Sequence, residues 1–171
     1  MKQKIFIGVD IGLNGAVVAI FEDGTINTHT IPKLGDKISD SGLFEVFEEY
    51  KEYDVYIMLE EVHSLFGMSA KSNFSFGATY GKKQMIAAIM GVLYGSKLDY
   101  ITPKKWQVAM WVASDKVYKS GTKIDTKKTS LRASKRLFPK QTFLATARSR
   151  VPHDGIVDAA LIALFCKQKH S

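Results

Sequence analysis

The sequence predicts an α/β fold, a five-stranded mixed sheet flanked by helices, in one domain spanning residues 1–171. Three observations lead there. Apolar runs at residues 4–10 and 55–60 read as buried strands. Leu43, Phe44, Val46, Phe47 and Tyr50 recur at helical spacing, as do Met85, Ile86, Ile89, Met90, Val92 and Leu93. The element order is three strands, a helix, then strand–helix–strand–helix, which places an antiparallel meander on one side of the sheet.

The elements follow from the chain in order. Lys4–Asp10 is the first strand, and a turn over residues 11–14 leads to the second at Ala16–Phe21. Glu22-Asp23-Gly24 is a hairpin signal, with the third strand at Thr25–Ile31. Pro32–Asp40 reads as a loop and 41–52 as an amphipathic helix. Val55–Glu60 is mostly apolar, as a central strand should be. After a small, polar loop at 63–73, a long helix is expected over 76–94. Asp99–Thr102 is the last strand, and Pro103 is well placed to open a helix. Lys116–Thr126 reads as a disordered polar loop, 126–137 as a basic helix, 141–152 as irregular, and Asp154–Lys167 as the final helix. That order suits an RNase H-like fold. A doubly wound dinucleotide fold would begin strand–helix–strand.

Composition narrows the functional classes. At 46% hydrophobic residues the chain is globular, not disordered. No apolar run approaches the roughly 20 residues of a membrane helix, and the N-terminus lacks signal-peptide features, so a cytoplasmic protein without membrane association is expected. The one cysteine, Cys166, excludes an internal disulfide and a thiolate zinc cluster. Net charge is +7, and it is segregated. Residues 101–150 hold 13 Lys and Arg against two acids, giving +11; the rest holds 11 basic and 15 acidic residues, giving −4. Solubility does not need such segregation, so a polyanionic partner is expected.

Four carboxylates are candidates for chemistry. Asp10 and Glu60 each end an apolar strand, where a charge is costly unless paired or metal-bound. If those strands are adjacent and parallel, both acids meet at one sheet edge, where ligands of open α/β sheets gather. Asp154 and Asp158 are four apart on one helical face, and Asp158 precedes the run Ala159–Phe165. Converging carboxylates without a Cys or His cluster suit Mg²⁺ better than zinc. Two such ions can clamp a scissile phosphate. Alternatives stand beside these roles. Asp10 could cap a turn through Gly12, and Glu61 could replace Glu60, although period-two alternation favours Glu60. Asp154 could be the helix N-cap. His153 could position a water or phosphate, or merely cap a loop.

These residues resemble the RuvC-like Holliday junction resolvases, particularly their phage and organellar branches. The matching segments are GVDIGLNGAVVAI at 8–20, IMLEEV at 57–62 and HDGIVDAALIA at 153–163, with FSFGATYG at 74–81 and TPKKWQ at 102–107 between them. The resemblance implies an RNase H-like fold, an endonuclease using two Mg²⁺ ions (Mn²⁺ substituting), and a homodimer that nicks opposed strands of four-way junctions. It assigns metal binding and catalysis to Asp10, Glu60, Asp154 and Asp158, with His153 or Glu61 as helpers. Bacterial members space their helix acids by three, but position 155 here is Gly and the acid lies four before Asp158. Phe74 or Phe76 takes the base-stacking place of an aromatic that bacterial members carry after the glutamate; this chain has His63 there.

Branched DNA is the expected partner. Lys104, Lys105, Lys127, Lys128 and Arg132 are the phosphate-contact candidates, the last three at the start of a helix whose dipole also favours phosphate. A two-fold junction suits a two-fold dimer, with Met85, Ile89 and Met90 as interface candidates or as core. Trp106 and Trp111 are expected in the core or an interface. Asp10-Ile11-Gly12-Leu13-Asn14-Gly15 also fits the phosphate turn of actin-like ATPases, but the chain is too short for their two lobes, and no nucleotide cofactor is expected. A flap or fork nuclease and a non-catalytic DNA-binding module remain the alternatives.

Overall fold

The structure is a computed structural model. It describes residues 2–10, 12–61, 77, 78, 80, 81, 84, 85, 87, 88, 90–92 and 94–171. The central sheet contains β1 (Lys4–Val9), β2 (Ala16–Phe21), β3 (Ile26–Thr30), β6 (Asp54–Glu60) and β7 (Lys97–Ile101) in the order β3-β2-β1-β6-β7. β1, β6 and β7 are parallel, and β1, β2 and β3 form the antiparallel meander. β1 lies in the middle and is buried on both faces, which its Ile-Phe-Ile-Gly-Val run permits.

The alternation of β1 and β6 divides the core in two. Ile5, Ile7 and Val9 share a face with Val55, Ile57 and Leu59. That face is covered by α1 (Asp40–Glu48) and by Ala87 and Met90 of α2, whose described residues lie between 77 and 94. Phe6 and Met58 point the other way, against α3 (Pro103–Met110) and α5 (Asp154–His170). Ala16, Val18 and Ile20 of β2 extend that second face beneath Ile156, Ala159, Ala160 and Ala163 of α5.

α5 lies on β1 with almost no gap. A Cβ at Gly8 would run into the Ala159 carbonyl and the Ala163 amide, and one at Gly155 would strike Asn14 and Gly15. Two missing side chains therefore let the helix backbone rest on the strand and on the turn that follows it. α5 runs three residues beyond the expected Lys167. Its last turn is tied down: Lys167 donates to the carbonyls of Phe21 and Glu22, and Lys169 and His170 bond Asp99. Cations also suit a helix C-terminus.

Two expected loops contain hairpins instead. Within 32–40, β4 (Lys33–Leu34) pairs with β5 (Lys37–Ile38) around Gly35, whose φ is +64°. Buried Ile38 anchors that hairpin to the core. Within 116–126, the expected disordered stretch, β8 (Tyr118–Ser120) pairs with β9 (Lys123–Ile124). Each hairpin has only two or three residues per strand, too few to show alternation. β9 leads into α4 (Thr126–Leu137). Among the described residues, no helix is long and apolar enough to cross a membrane.

Candidate active site

β1 and β6 run in register, with Val9 beside Leu59, so Asp10 and Glu60 emerge together at the carboxyl edge of the sheet. Both follow the parity of Phe6 and Met58 and therefore face α5. Glu61 has the parity of Leu59 and belongs to the opposite face, where its charge helps hold the Tyr80 phenol above its usual range, after burial. The Asp10 carboxylate accepts the Gly12 amide at 3.3 Å, so the capping reading of Asp10 describes a real contact. Glu60 Oε1 accepts Trp106 Nε1–H at 2.8 Å. Trp106 is buried against the α5 side of the sheet, so this bond fixes Glu60 from beneath.

α5 brings the other two acids. Asp158 lies on the helix face that meets the sheet edge, and its Oδ1 is buried without a hydrogen-bond partner. Its carboxyl is pushed up to about 7, by burial foremost; the Ser130 hydroxyl, by bonding the carboxylate, opposes the shift, and the charges of Asp10, Glu60 and Asp154 add to it. Asp154 is the first residue of α5, not its cap. The N-cap is His153, whose Nδ1 accepts the Ile156 amide at 3.3 Å. His153 is itself placed by its amide, which donates to the Phe143 carbonyl at 2.8 Å. Phe143 is buried at φ +56°, a left-handed conformation a bulky residue rarely adopts. Asp154 is exposed and pairs with Lys127 Nζ at 2.6 Å. That pair contributes little stability in water, but it carries a cation to the site and raises the Lys127 pKa.

A cavity of about 600 Å³ opens over this edge, lined by Asp10, Asn14, Lys127, His153, Asp154 and Asp158 among others. Glu60 lies just outside its lining and acts on Asp158 through its charge. Among the described residues, no three His, Cys, Asp or Glu side chains are gathered tightly enough to share one ion. The donor set nonetheless fits a hard cation. It is all oxygen, it includes a buried oxygen lacking a partner, and Mg²⁺ commonly takes only one or two carboxylates with water and phosphate.

The expected DNA contacts divide. Lys127 enters the site, while Lys128 and Arg132 do not line it. Arg132 instead acts electrostatically on the buried Asp115, which the exposed Arg136 holds in an ion pair at 2.8 Å. The start of α4 is also less open to phosphate than its sequence suggests, because the Asp125 carboxylate already accepts the Lys128 amide. Lys104 and Lys105 are exposed in the first turn of α3, which leaves the sheet at the same edge as Glu60. Phe74, Phe76, His63 and Ile89 lie outside the described residues. Met90 packs in the core and is not an interface residue, whereas Met85 is 57% exposed. Trp106 is the site residue that sequence reasoning missed. A buried indole needs an acceptor, but nothing in the chain order points to one 46 residues away.

No protein-family model matches the sequence, and no curated protein matches it. Solved structures do resemble it. RuvC of Thermus thermophilus in complex with a Holliday junction substrate aligns over 98% of this chain and 96% of its own, at 12% identity and TM-score 0.53. The same bacterium's RuvC in a separate structure aligns over 96% of both chains, at 12% identity and TM-score 0.52. The yeast mitochondrial Holliday junction resolvase aligns over 95% of this chain and 83% of its own, at 16% identity and TM-score 0.51. The chain has the RNase H-like fold of the RuvC-type resolvases.

Proposed function

We propose that the chain is a metal-dependent endonuclease that resolves four-way DNA junctions by paired symmetric nicks. The observation that carries this reading is Asp158. Its buried, unpartnered oxygen lies among three further carboxylates at the sheet edge, on a fold whose solved neighbours include one bound to a Holliday junction. A buried carboxylate oxygen left without a donor is expensive. A cation at that point supplies what is missing.

Asp10 and Asp158 are the inner ligands in this reading, with Glu60 and Asp154 completing the site for two Mg²⁺ or Mn²⁺ ions. Such ions, when bound, polarise the scissile phosphate and supply a nucleophile at neutral pH. The chain's own residues do the rest. Trp106 holds Glu60 in one orientation through its indole bond. Ser130 restrains Asp158, whose proton leaves as the site is loaded. Lys127 offsets negative charge where a phosphate must approach carboxylates. His153 fixes the start of α5, so Asp154 and Asp158 arrive at set positions. Lys104 and Lys105 contact the backbone of the arms, and a homodimer presents one site to each of two equivalent strands.

The test uses a synthetic four-way junction, a flap and plain duplex, with Mg²⁺ or Mn²⁺, and Asp10→Asn in parallel. Paired symmetric nicks on the junction that vanish in the variant support the reading. Binding without cutting in either metal overturns it in favour of a non-catalytic module. Preference for flaps favours a broader branched-DNA nuclease.

A further inference from the structure

A second cavity of about 410 Å³ adjoins the first. Leu13, Asn14 and His153 line both, so the turn after β1 is the shared wall. On the far side are Thr30, Ala145 and Lys33. Lys33 belongs to the β4–β5 hairpin that the sequence hid in a loop. Its cross-strand partner is Ile38, which is buried, so the two share the inward face of the hairpin. Lys33 is itself exposed, and its ammonium donates to Asn14 Oδ1 at 2.7 Å.

Its partner is neutral, as the backbone carbonyls are for Lys2, Lys4 and Lys167, whereas Lys51, Lys97, Lys127 and Lys169 meet carboxylates. Lys33 has no acidic partner among the described residues, only a neutral amide. An amide holds an ammonium in position without cancelling its charge. The result is an oriented, uncompensated cation lining a groove that continues from the carboxylate site.

We infer that this second cavity is a binding site for the DNA phosphate next to the scissile one on the cut strand, with Lys33 as its cation and Asn14 orienting Lys33. The inference rests on the nuclease reading. One phosphate recurs along a strand every roughly 3.4 Å of helix axis, so a strand laid over the carboxylates and running across the shared wall carries another phosphate into the adjoining groove. The carboxylates repel that backbone. Lys127 on one side and Lys33 on the other supply attraction where it is needed and set the strand's path across the Leu13–Asn14 turn. Leu13 is partly exposed there and offers an apolar wall to a sugar.

The experiment measures binding of a labelled four-way junction and of plain duplex across a salt series, without divalent metal. It compares the intact protein, Lys33→Gln and Lys33→Arg. Losing one phosphate contact lowers the slope of log affinity against log salt by about 0.7–0.9. We expect that loss in Lys33→Gln and its recovery in Lys33→Arg. A role confined to bracing the turn would weaken binding without changing the slope. Methylphosphonates, which remove one phosphate charge at a time, then locate the contact. One position beside the nick should weaken binding by the intact protein and leave Lys33→Gln indifferent. An unchanged slope in Lys33→Gln, or equal sensitivity of both proteins at every position, overturns the inference. The nuclease reading fails separately, if the intact protein neither prefers junctions nor cuts with metal, while the Lys33 contact is still read on duplex.

Discussion

Asp158 should make the metal-free protein less stable as pH rises, and replacing it by Asn should remove that dependence. Its carboxyl has an ordinary value of 3.8 and is pushed up to about 7 in the fold. Below 3.8 the group is neutral in both folded and unfolded chains and costs nothing. Between 3.8 and 7 the unfolded chain gives up its proton while the folded one keeps it, so rising pH favours unfolding. Above 7 both are ionised and the folded state carries the full penalty. At 1.36 kcal/mol per pH unit, that gap corresponds to about 4 kcal/mol, and water entry and relaxation reduce it to about 2–4 kcal/mol. Urea unfolding in chelator, at about pH 5 and about pH 8, reads the effect as a change in midpoint at constant slope. The intact protein should lose a few kcal/mol between the two, and Asp158→Asn should be nearly flat and the more stable of the pair at the higher pH. Asp99 and Asp115 do not confuse the window. Their bonds, to Lys169 and to Arg136 foremost, hold them below 3.8, so their stabilisation is lost only on further acidification. Mg²⁺ or Mn²⁺ should restore stability to the intact protein alone, by binding only its folded state. A flat profile in the intact protein, or a decline shared equally by the variant, would refute the account of Asp158.

Three further outcomes follow from the same geometry. Trp106→Phe keeps the bulk of a buried ring but removes the donor to Glu60 Oε1; cleavage should fall about 10–100-fold, read from kcat, with folding retained in thermal melts. Gly8→Ala forces a methyl into the α5 backbone at Ala159 and Ala163; it should cost about 3 kcal/mol in urea unfolding, and a variant as stable as the parent would show that α5 can lift off β1. Neutralising Lys127 and Lys128 together should weaken junction binding and flatten its salt dependence, with Lys127 responsible for any effect on cleavage because it alone of the two lines the carboxylate cavity.

Much of this site was legible because strands alternate and helices repeat. Asp10 and Glu60 have opposite parity to Val9 and Leu59, which predicts a shared face if the strands are adjacent and parallel, as they are. Asp158 stood out because its neighbours in the sequence are apolar for seven residues. What stayed hidden depends on contacts between distant segments. The Trp106 bond spans 46 residues. The role of Gly8 depends on a helix more than 150 residues later, and no local pattern announces it. Asp154 shows a different failure. Asp is a preferred N-cap and His is not, so propensity pointed to the wrong residue; the loop fixed at Phe143 puts His153 in the capping position one residue earlier. Lys33 was lost because a hairpin with two residues per strand has no period to read.

The four carboxylates hold different environments, and the difference bears on how such a site is assembled. Asp158 is half-buried with one oxygen enclosed and is reluctant to ionise, Glu60 is clamped by an indole, Asp10 is engaged by a backbone amide, and Asp154 is exposed beside an ammonium. Bringing four like charges together in advance would cost repulsion at each pair, and at Asp158 the charges of Asp10, Glu60 and Asp154 add to burial, the main cause, in holding the carboxyl at about 7. Among the described residues no three are preassembled around one point. Within the nuclease reading, the missing ligands must come from water and from the substrate's own phosphate, as is usual for Mg²⁺. Metal affinity and DNA affinity are then linked: each should rise in the presence of the other by the same factor, because a binding linkage is reciprocal. In the nuclease reading, Asp154, which already lines the cavity, would exchange Lys127 for a cation, and an incoming phosphate offers Lys127 an equivalent partner. In that reading, substrate binding would free Asp154 as the scissile phosphate arrives, so activity should require DNA and metal together.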